Sequence, residues 1–341
     1  MYKLIQPLLF RLDAEKAHTR GLALFKKVHQ LGLASLIPHA ISSCPLKLMG
    51  LDLPNPIGTA AGLDKNGAYI DALASLGFGF LEVGTVTPKP QSGNDKPRLF
   101  RLIREQAIIN RMGFNNDGID VLIENIKKSQ YKGVLGINIG KNATTPIEKA
   151  LDDYLICLEK AYPFASYIAI NISSPNTQNL RSLQSEHQLE ALLSGLKAKQ
   201  LQLADQYNRY VPLVVKIAPD MDEIQIAQLA NVLIHNEIDG VIATNTTIDK
   251  SMISAQYAQE QGGLSGYPLK EKSNQVLQLL SKHLQNKVAI IGVGGIMTGN
   301  DAVKKLELGA QAVQLYSGLV FQGTGLVENC IQAILKQQNK I

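Results

Sequence analysis

Cysteine is scarce in this 341-residue chain: Cys44, Cys157 and Cys330 stand far apart and are odd in number. A disulfide scaffold is excluded, and so is a cysteine-based zinc or iron–sulfur site within the chain. The thiol usage fits a reducing compartment. Long apolar runs are missing too, and none approaches the roughly 18 consecutive apolar residues of a spanning helix. Lys16, Arg20, Lys26 and Lys27 interrupt every N-terminal apolar run, so no signal peptide is visible. The six histidines (His18, His29, His39, His187, His235, His283) all lie away from the ends of the candidate strands, which argues against a histidine base or a histidine-rich metal site. No metal is expected.

What is present is ample core material. Hydrophobic residues make up 45% of the chain and charged residues 18%, which rules out disorder as the main state. The length suits one large domain or two ordinary ones. The net charge of +5 is unevenly spread: Lys3, Arg11, Lys16, Arg20, Lys26 and Lys27 face only Asp13 and Glu15 in residues 1–45. This segment also carries Leu4, Ile5, Leu8, Leu9 and Leu12 at helical spacing, then Leu22, Phe25, Val28 and Leu31, before Gly32, Pro38 and Pro45 break the pattern. Two basic amphipathic helices are expected. They can serve as an extension packed on the main domain, or as an anchor with apolar faces in the lipid boundary and cations on anionic headgroups.

From residue 46 onward the pattern changes. Ile57–Ala61, Phe80–Gly84, Val134–Ile139, Tyr167–Ile172, Val211–Ile217, Gly240–Thr244, Val288–Val293 and Ala312–Leu315 are short runs without polar alternation. Such runs suit parallel strands buried on both faces. The connections carry helical periodicity, as in Ile119, Leu122, Ile123 and Ile126, or Ile226, Leu229, Ala230 and Leu233. Eight strand–helix units predict an α/β fold, a (β/α)8 TIM barrel over residues 46–341 with a helical extension over 1–45. A doubly wound open sheet would concentrate its special residues after the first strand. Here they follow every strand.

Those strand ends are rich in Lys, Asn and Thr: Asp64-Lys65, Gly84-Thr85, Asn138 to Lys141, Asn171 to Thr177, Lys216, and Thr244 to Thr246. A ring of donors there suits a polar, anionic, planar ligand, since unpaired polar groups cost free energy. Gly292-Val293-Gly294-Gly295 follows the seventh strand, with a helix expected near Asn300-Asp301. Tyr316-Ser317-Gly318 follows the eighth, with a helix expected near Gly323. This is the usual phosphate position of such barrels. No pair of strand-end carboxylates suggests glycoside chemistry, and Glu82 reads as a structural buried acid. A phosphate-bearing cofactor remains as the source of chemistry.

Ala60 to Lys65, Asn110 to Asn116, Gly136 to Lys141, Asn171 to Thr177, Lys216 to Asp220, Ala243 to Thr247, Gly262 to Gly266, Gly292 to Ile296 and Tyr316 to Gly318 together resemble the dihydroorotate dehydrogenases. The resemblance is to the quinone-dependent, membrane-associated class 2, and it includes the N-terminal extension. It implies oxidation of (S)-dihydroorotate to orotate in pyrimidine biosynthesis, with FMN as hydride acceptor and a membrane quinone as electron acceptor. FMN is expected on Ala61, Gly62, Leu63, Asp64, Lys65, Thr85, Asn138, Asn171, Lys216, Thr244, Gly266, Gly295, Tyr316 and Ser317. Lys216, cationic near the ring, would stabilise the electron-rich reduced flavin. Dihydroorotate is expected on Lys65, Asn110, Arg111, Met112, Gly113, Phe114, Asn171, Asn176, Asn245 and Thr246, with backbone amides and asparagines sharing the carboxylate with Arg111.

Ser174 is implied as the general base at C5, where soluble class 1 relatives carry cysteine, with Thr177 a candidate to pass the proton on. His18, Arg101 and Tyr316 correspond to polar residues of a quinone tunnel. Ala14 departs from a proline common in the first helix. A monomer, peripheral on the cytoplasmic side of a bacterial cell membrane and without nucleic-acid partners, is expected. Competing readings are a soluble FMN barrel using fumarate or NAD, and a non-catalytic barrel binding a phosphate ligand.

Overall fold

The computed structural model describes residues 2–32 and 42–339. Pro38 and His39 lie outside the described residues, as do the side chains of Lys3 and Leu4. Eight parallel strands close into a barrel: Ile57–Thr59, Phe80–Val86, Val134–Ile139, Tyr167–Asn171, Leu213–Ile217, Gly240–Ala243, Ala289–Val293 and Ala312–Leu315. They pair in chain order, and the last closes on the first with Val313 opposite Ile57. Each expected apolar run therefore forms a strand. Ala60, Ala61 and Thr244 leave the ladder at the strand ends and turn toward the mouth.

The absence of polar alternation has a direct cause. Ile57, Val83, Ile137, Ile170 and Val215 point outward into one continuous core with the surrounding helices. Their neighbours Phe80, Tyr167, Val214, Ile242, Ile291 and Ala312 point inward and fill the barrel. Both faces are buried, so both are apolar. Each fully buried Val, Leu or Ile contributes about 1.5–3 kcal/mol relative to exposure. Helices Ile119–Lys128 and Glu223–His235 bury the periodic residues expected of them, Leu122 and Ile123 in the first, Leu229 and Leu233 in the second.

Two small sheets complete the barrel. An antiparallel hairpin, Leu46–Leu48 with Leu51–Leu53, closes the end where the barrel strands begin, with Leu48 and Leu53 joining the interior cluster. At the other end, Leu99–Leu102, Ala107–Asn110 and Gly263–Gly266 form an antiparallel sheet with Ala107–Asn110 in the centre. The N-terminal segment forms α1 (Tyr2–Arg11) and α2 (Ala14–Gln30). Ala14 opens α2 rather than lying in the first helix, behind an Asp13 cap that accepts from the Lys16 amide. The expected apolar faces divide: Leu22 and Phe25 pack on the barrel core, whereas Leu8 is 63% and Leu31 72% exposed. Helix Gly299–Glu307 follows the seventh strand as expected, but the eighth leads directly into Ser317–Gln322, and the helix expected near Gly323 begins at Leu326.

Gly136 shows how tightly the interior is filled. A Cβ there would lie 2.1 Å from the Tyr167 ring, which is itself fully buried. Gly136→Ala is expected to destabilise the barrel by about 1–3 kcal/mol, the ordinary cost of overpacking. A clear drop in the thermal unfolding midpoint checks this; an unchanged midpoint contradicts it.

Candidate active site

The mouth at the C-terminal ends of the strands holds a cavity. Its lining includes Ala61, Gly62, Lys65, Thr85, Asn171, Lys216 and Thr244 from the barrel loops. Asn110, Met112, Gly113 and Phe114 enter from the small sheet and the loop after it; Ser174, Asn176, Asn245 and Thr246 stand on the loops after the fourth and sixth barrel strands. Gly266, Gly295, Tyr316 and Ser317 close the opposite flank. The chain thus brings together residues more than 250 positions apart, because every loop that follows a barrel strand exits at one end.

Four of the residues expected to contact flavin or substrate stand elsewhere. Leu63 is buried in the outer core rather than the mouth. Asp64 turns its carboxylate back to accept from the Ala68 and Tyr69 amides, at 2.9 and 2.7 Å. Burial pushes its carboxyl up to about 6 against those bonds. The Arg111 guanidinium is committed to Glu260 at 2.7 Å and lies over the Phe100 ring, so it is not a clamp in the mouth. Asn138 lies one layer beneath the cavity, fully buried. Its Oδ1 accepts from Thr85 at 2.6 Å and from Asn171 at 3.3 Å, while its Nδ2 donates to Glu82 at 2.9 Å.

Glu82 accounts for the order in that layer. Tyr167 OH and Gln314 Nε2 also donate to it, at 2.7 and 2.6 Å. A buried carboxylate needs such donors. Lys216, also buried, is lowered by desolvation, with the Glu82 charge opposing that shift. Lys65 is lowered to about 7, mainly by burial and then by the Arg98 charge; its Nζ donates to Asn115 Oδ1. Asn115 was not among the expected contacts. Thr246 Oγ1 and Gln314 Oε1 are buried at the cavity without a hydrogen-bond partner.

The amides of Gly295 and Ser317 find no backbone acceptor among the described residues. Gly295 has φ +73°, and a Cβ would lie 2.3 Å from Lys270 Cα, so only glycine fits this turn. Free amides, unpaired polar atoms and the cavity lysines Lys65 and Lys216 suit an anionic, polyfunctional ligand, and FMN fits that donor set. Among the described residues, no cluster of metal-ligating side chains occurs.

Ser174 Oγ lines the cavity and accepts from the Asn176 amide at 3.2 Å. Ser173, its neighbour, is tied down by donating to Asn171 at 3.1 Å and accepting from Asn245 at 2.9 Å. Thr177 Oγ1 is buried and unpaired. Toward the helices the wall becomes apolar: Leu99, Ile108 and Tyr316 line the cavity and cluster with Phe10, Met297 and Phe321. Arg101 holds the end of α1, donating to Phe10 and Leu12 carbonyls at 2.9 Å and lying over the Phe10 ring. Burial and then the Lys65 charge lower His18 to about 4, against the opposing influence of Glu15 and the Leu63 backbone.

A further link escaped the sequence. Glu15 of α2 forms a forked pair with Arg98, 2.8 Å to Nη2 and 3.2 Å to Nε. Arg98 Nη1 also donates to the Ser92 and Asn94 carbonyls, and Asn94 Nδ2 reaches the carbonyls of Arg111 and Asn176. The α2 helix is thereby joined to the loops of the mouth.

Residues 44–337 match the family model described as Dihydroorotate dehydrogenase. The chain belongs to the dihydroorotate dehydrogenase family. A Neisseria meningitidis serogroup A protein named dihydroorotate dehydrogenase (quinone) is 62% identical over 98% of this chain and all of its own length. One of the same name from Chromobacterium violaceum is 58% identical, covering 98% of this chain and 97% of that protein. A crystal structure of dihydroorotate dehydrogenase in complex with ferulenol, from Eimeria tenella, superposes with a TM-score of 0.88 at 36% identity, covering 96% of this chain and 92% of that one. Dihydroorotate dehydrogenases are flavin-dependent oxidoreductases in general, and the polar mouth with its free amides is compatible with that chemistry.

Proposed function

We propose that this chain oxidises dihydroorotate to orotate in pyrimidine biosynthesis, with a membrane quinone as the final electron acceptor. The observation that carries the reading is one cavity with a polar flank, an amide-lined flank and an apolar wall that continues to Phe10 of α1. It agrees with full-length relatives that bear this activity in their names. FMN, when bound, supplies the hydride acceptor.

The chain's own residues do the rest. Gly295, Tyr316 and Ser317 amides, with Gly266 beside them, hold the phosphate. Thr85, Asn171 and Thr244 fix the ring, and Asn138 holds Thr85 and Asn171 in place from below. Lys216 favours negative charge on the ring system. Lys65, Asn110, Asn176, Asn245 and Thr246 orient the planar carboxylate-bearing substrate. Ser174 Oγ takes the proton from C5, and Thr177 passes it on. A serine hydroxyl is a weak base, so the loops must exclude water from it. A soluble enzyme using fumarate or NAD is disfavoured by the apolar wall and the basic helices.

The exposed Ile5, Leu8, Leu24 and Leu31, flanked by the N-terminal cations, make α1 and α2 a monotopic anchor on an anionic bilayer. Among the described residues, no helix is long and apolar enough to cross a membrane. The protein is read as a monomer on the cytoplasmic face of a bacterial membrane, with quinone entering past His18, Arg101 and Tyr316.

Ser174→Ala should retain its flavin yet lose roughly a hundredfold or more in kcat; full turnover at every pH would overturn the assignment. Because Lys65 loses its proton as pH rises through about 7, orotate affinity should fall above that pH. Titrating bound flavin with orotate tests this: Lys65→Met should bind weakly and without that pH dependence, and a parallel slope in both proteins refutes it. Replacing Leu8 and Leu24 with Asp should release the protein from anionic liposomes with flavin content unchanged; undiminished binding would dismiss the anchor.

A further inference from the structure

Among the described residues, the phosphate end of the cavity has no cation in its wall. Ser265, Gly266, Gly294, Gly295, Tyr316 and Ser317 line it, and the lysines that line the cavity, Lys65 and Lys216, follow other strands. Behind the Gly294-Gly295 turn, however, lies Lys305, on the helix Gly299–Glu307 and 1% exposed. Its Nζ donates to Ser273 Oγ at 2.6 Å, and Ser273 Oγ lies 3.1 Å from the Gly294 carbonyl and 2.9 Å from that of Lys270. The stem of Lys305 packs where a Cβ on Gly292 would meet its Cδ at 3.0 Å. The lysine thus lies beneath Gly292 and reaches the Gly294 carbonyl through Ser273, while Lys270 backs Gly295.

The charges around it do not balance. Lys270 and Asp301 pair at 3.0 Å, and Asp301 also caps the helix by accepting from the Met297 and Thr298 amides. Lys270 and Asp301 cancel, and Glu271 is exposed. Lys305 is the surplus cation. Burying an ammonium on a single neutral hydroxyl is costly, and burial lowers it to about 7 despite Asp301 and Glu271. A dianion on the far side of the turn would favour the charged form.

We infer that Lys305 is the counter-charge for the flavin phosphate, acting from behind the Gly294-Gly295 turn, and that with Ser273 it positions that turn. The inference rests on the FMN reading above and deepens it. Lys305 is a positioning residue, not a catalytic one, since the backbone of the turn separates it from the ligand. Its effect should fall on the phosphate alone. Riboflavin shares the ring and ribityl chain but carries no phosphate, so it isolates that term.

Full-length protein freed of flavin is titrated with FMN and with riboflavin, following flavin fluorescence. The wild type should bind FMN more tightly than riboflavin. Lys305→Met, which keeps most of the stem, should lose roughly tenfold of that preference with riboflavin affinity unchanged. Ser273→Ala, a milder change that leaves the cation in place, should lose a smaller part of the same preference, and it decides the matter if Lys305→Met does not fold. An unchanged FMN-to-riboflavin ratio in the variants overturns the inference, as does equal weakening of both flavins, which would mark a purely structural lysine. A wild type without preference for FMN would instead remove the phosphate reading, and this inference with it.

Discussion

A carboxylate buried inside the barrel organises the site. Glu82 sits above the apolar filling of the barrel and is held by Asn138, Tyr167 and Gln314. Taking a carboxylate from water costs several kcal/mol unless donors surround it. Those donors consequently have little freedom. Asn138 must spend its amide nitrogen on Glu82, which leaves its carbonyl oxygen to Thr85 and Asn171. Asn171 then faces Ser173 and Asn245 with its own oxygen. A single buried charge therefore fixes the orientation of amides up to the loop that carries Ser174. The barrel interior acts as a packed core at the hairpin end and as a polar foundation near the mouth.

That foundation supports a graded cavity. The loops after the first, fourth and sixth strands offer Lys65, Asn176, Asn245 and Thr246. The seventh and eighth offer backbone amides around Gly295 and Ser317, backed by Lys305. Beyond Tyr316 the wall gives way to Phe10, Ile108 and Phe321. A polar reductant and an apolar oxidant can approach one flavin through chemically different surroundings, so neither has to cross the territory of the other.

Much of this was legible in the chain, because the architecture leaves its mark on local composition. Strands buried on both faces must be continuously apolar, and residues such as Phe80 to Gly84 and Tyr167 to Ile172 announce that burial directly. Strand-end Asn, Lys and Thr announce a mouth. The two small sheets were not legible. Leu46-Lys47-Leu48 and Leu99 to Leu102 are too short to show a period, and their pairing depends on partners selected by the closed barrel. Side-chain direction was equally hidden: nothing near Arg111 shows that its guanidinium turns to Glu260, 149 positions away. Asp64 stands one position from a cavity lysine, yet faces its own loop. Glu82 was recognised as a buried acid, but its three partners lie on other strands, and its influence on the mouth emerges only when they meet.

The forked pair between Glu15 and Arg98 bears on how such a protein can evolve. It joins α2 to a relay of carbonyl contacts that ends on Arg111 and Asn176. The helical pair is consequently more than a detachable extension. A lineage that traded these helices for a different N-terminal segment would lose the latch, unless the replacement also presented a carboxylate to Arg98. The helical segment and the loops of the mouth are therefore inherited together, and drift in one is checked by the other.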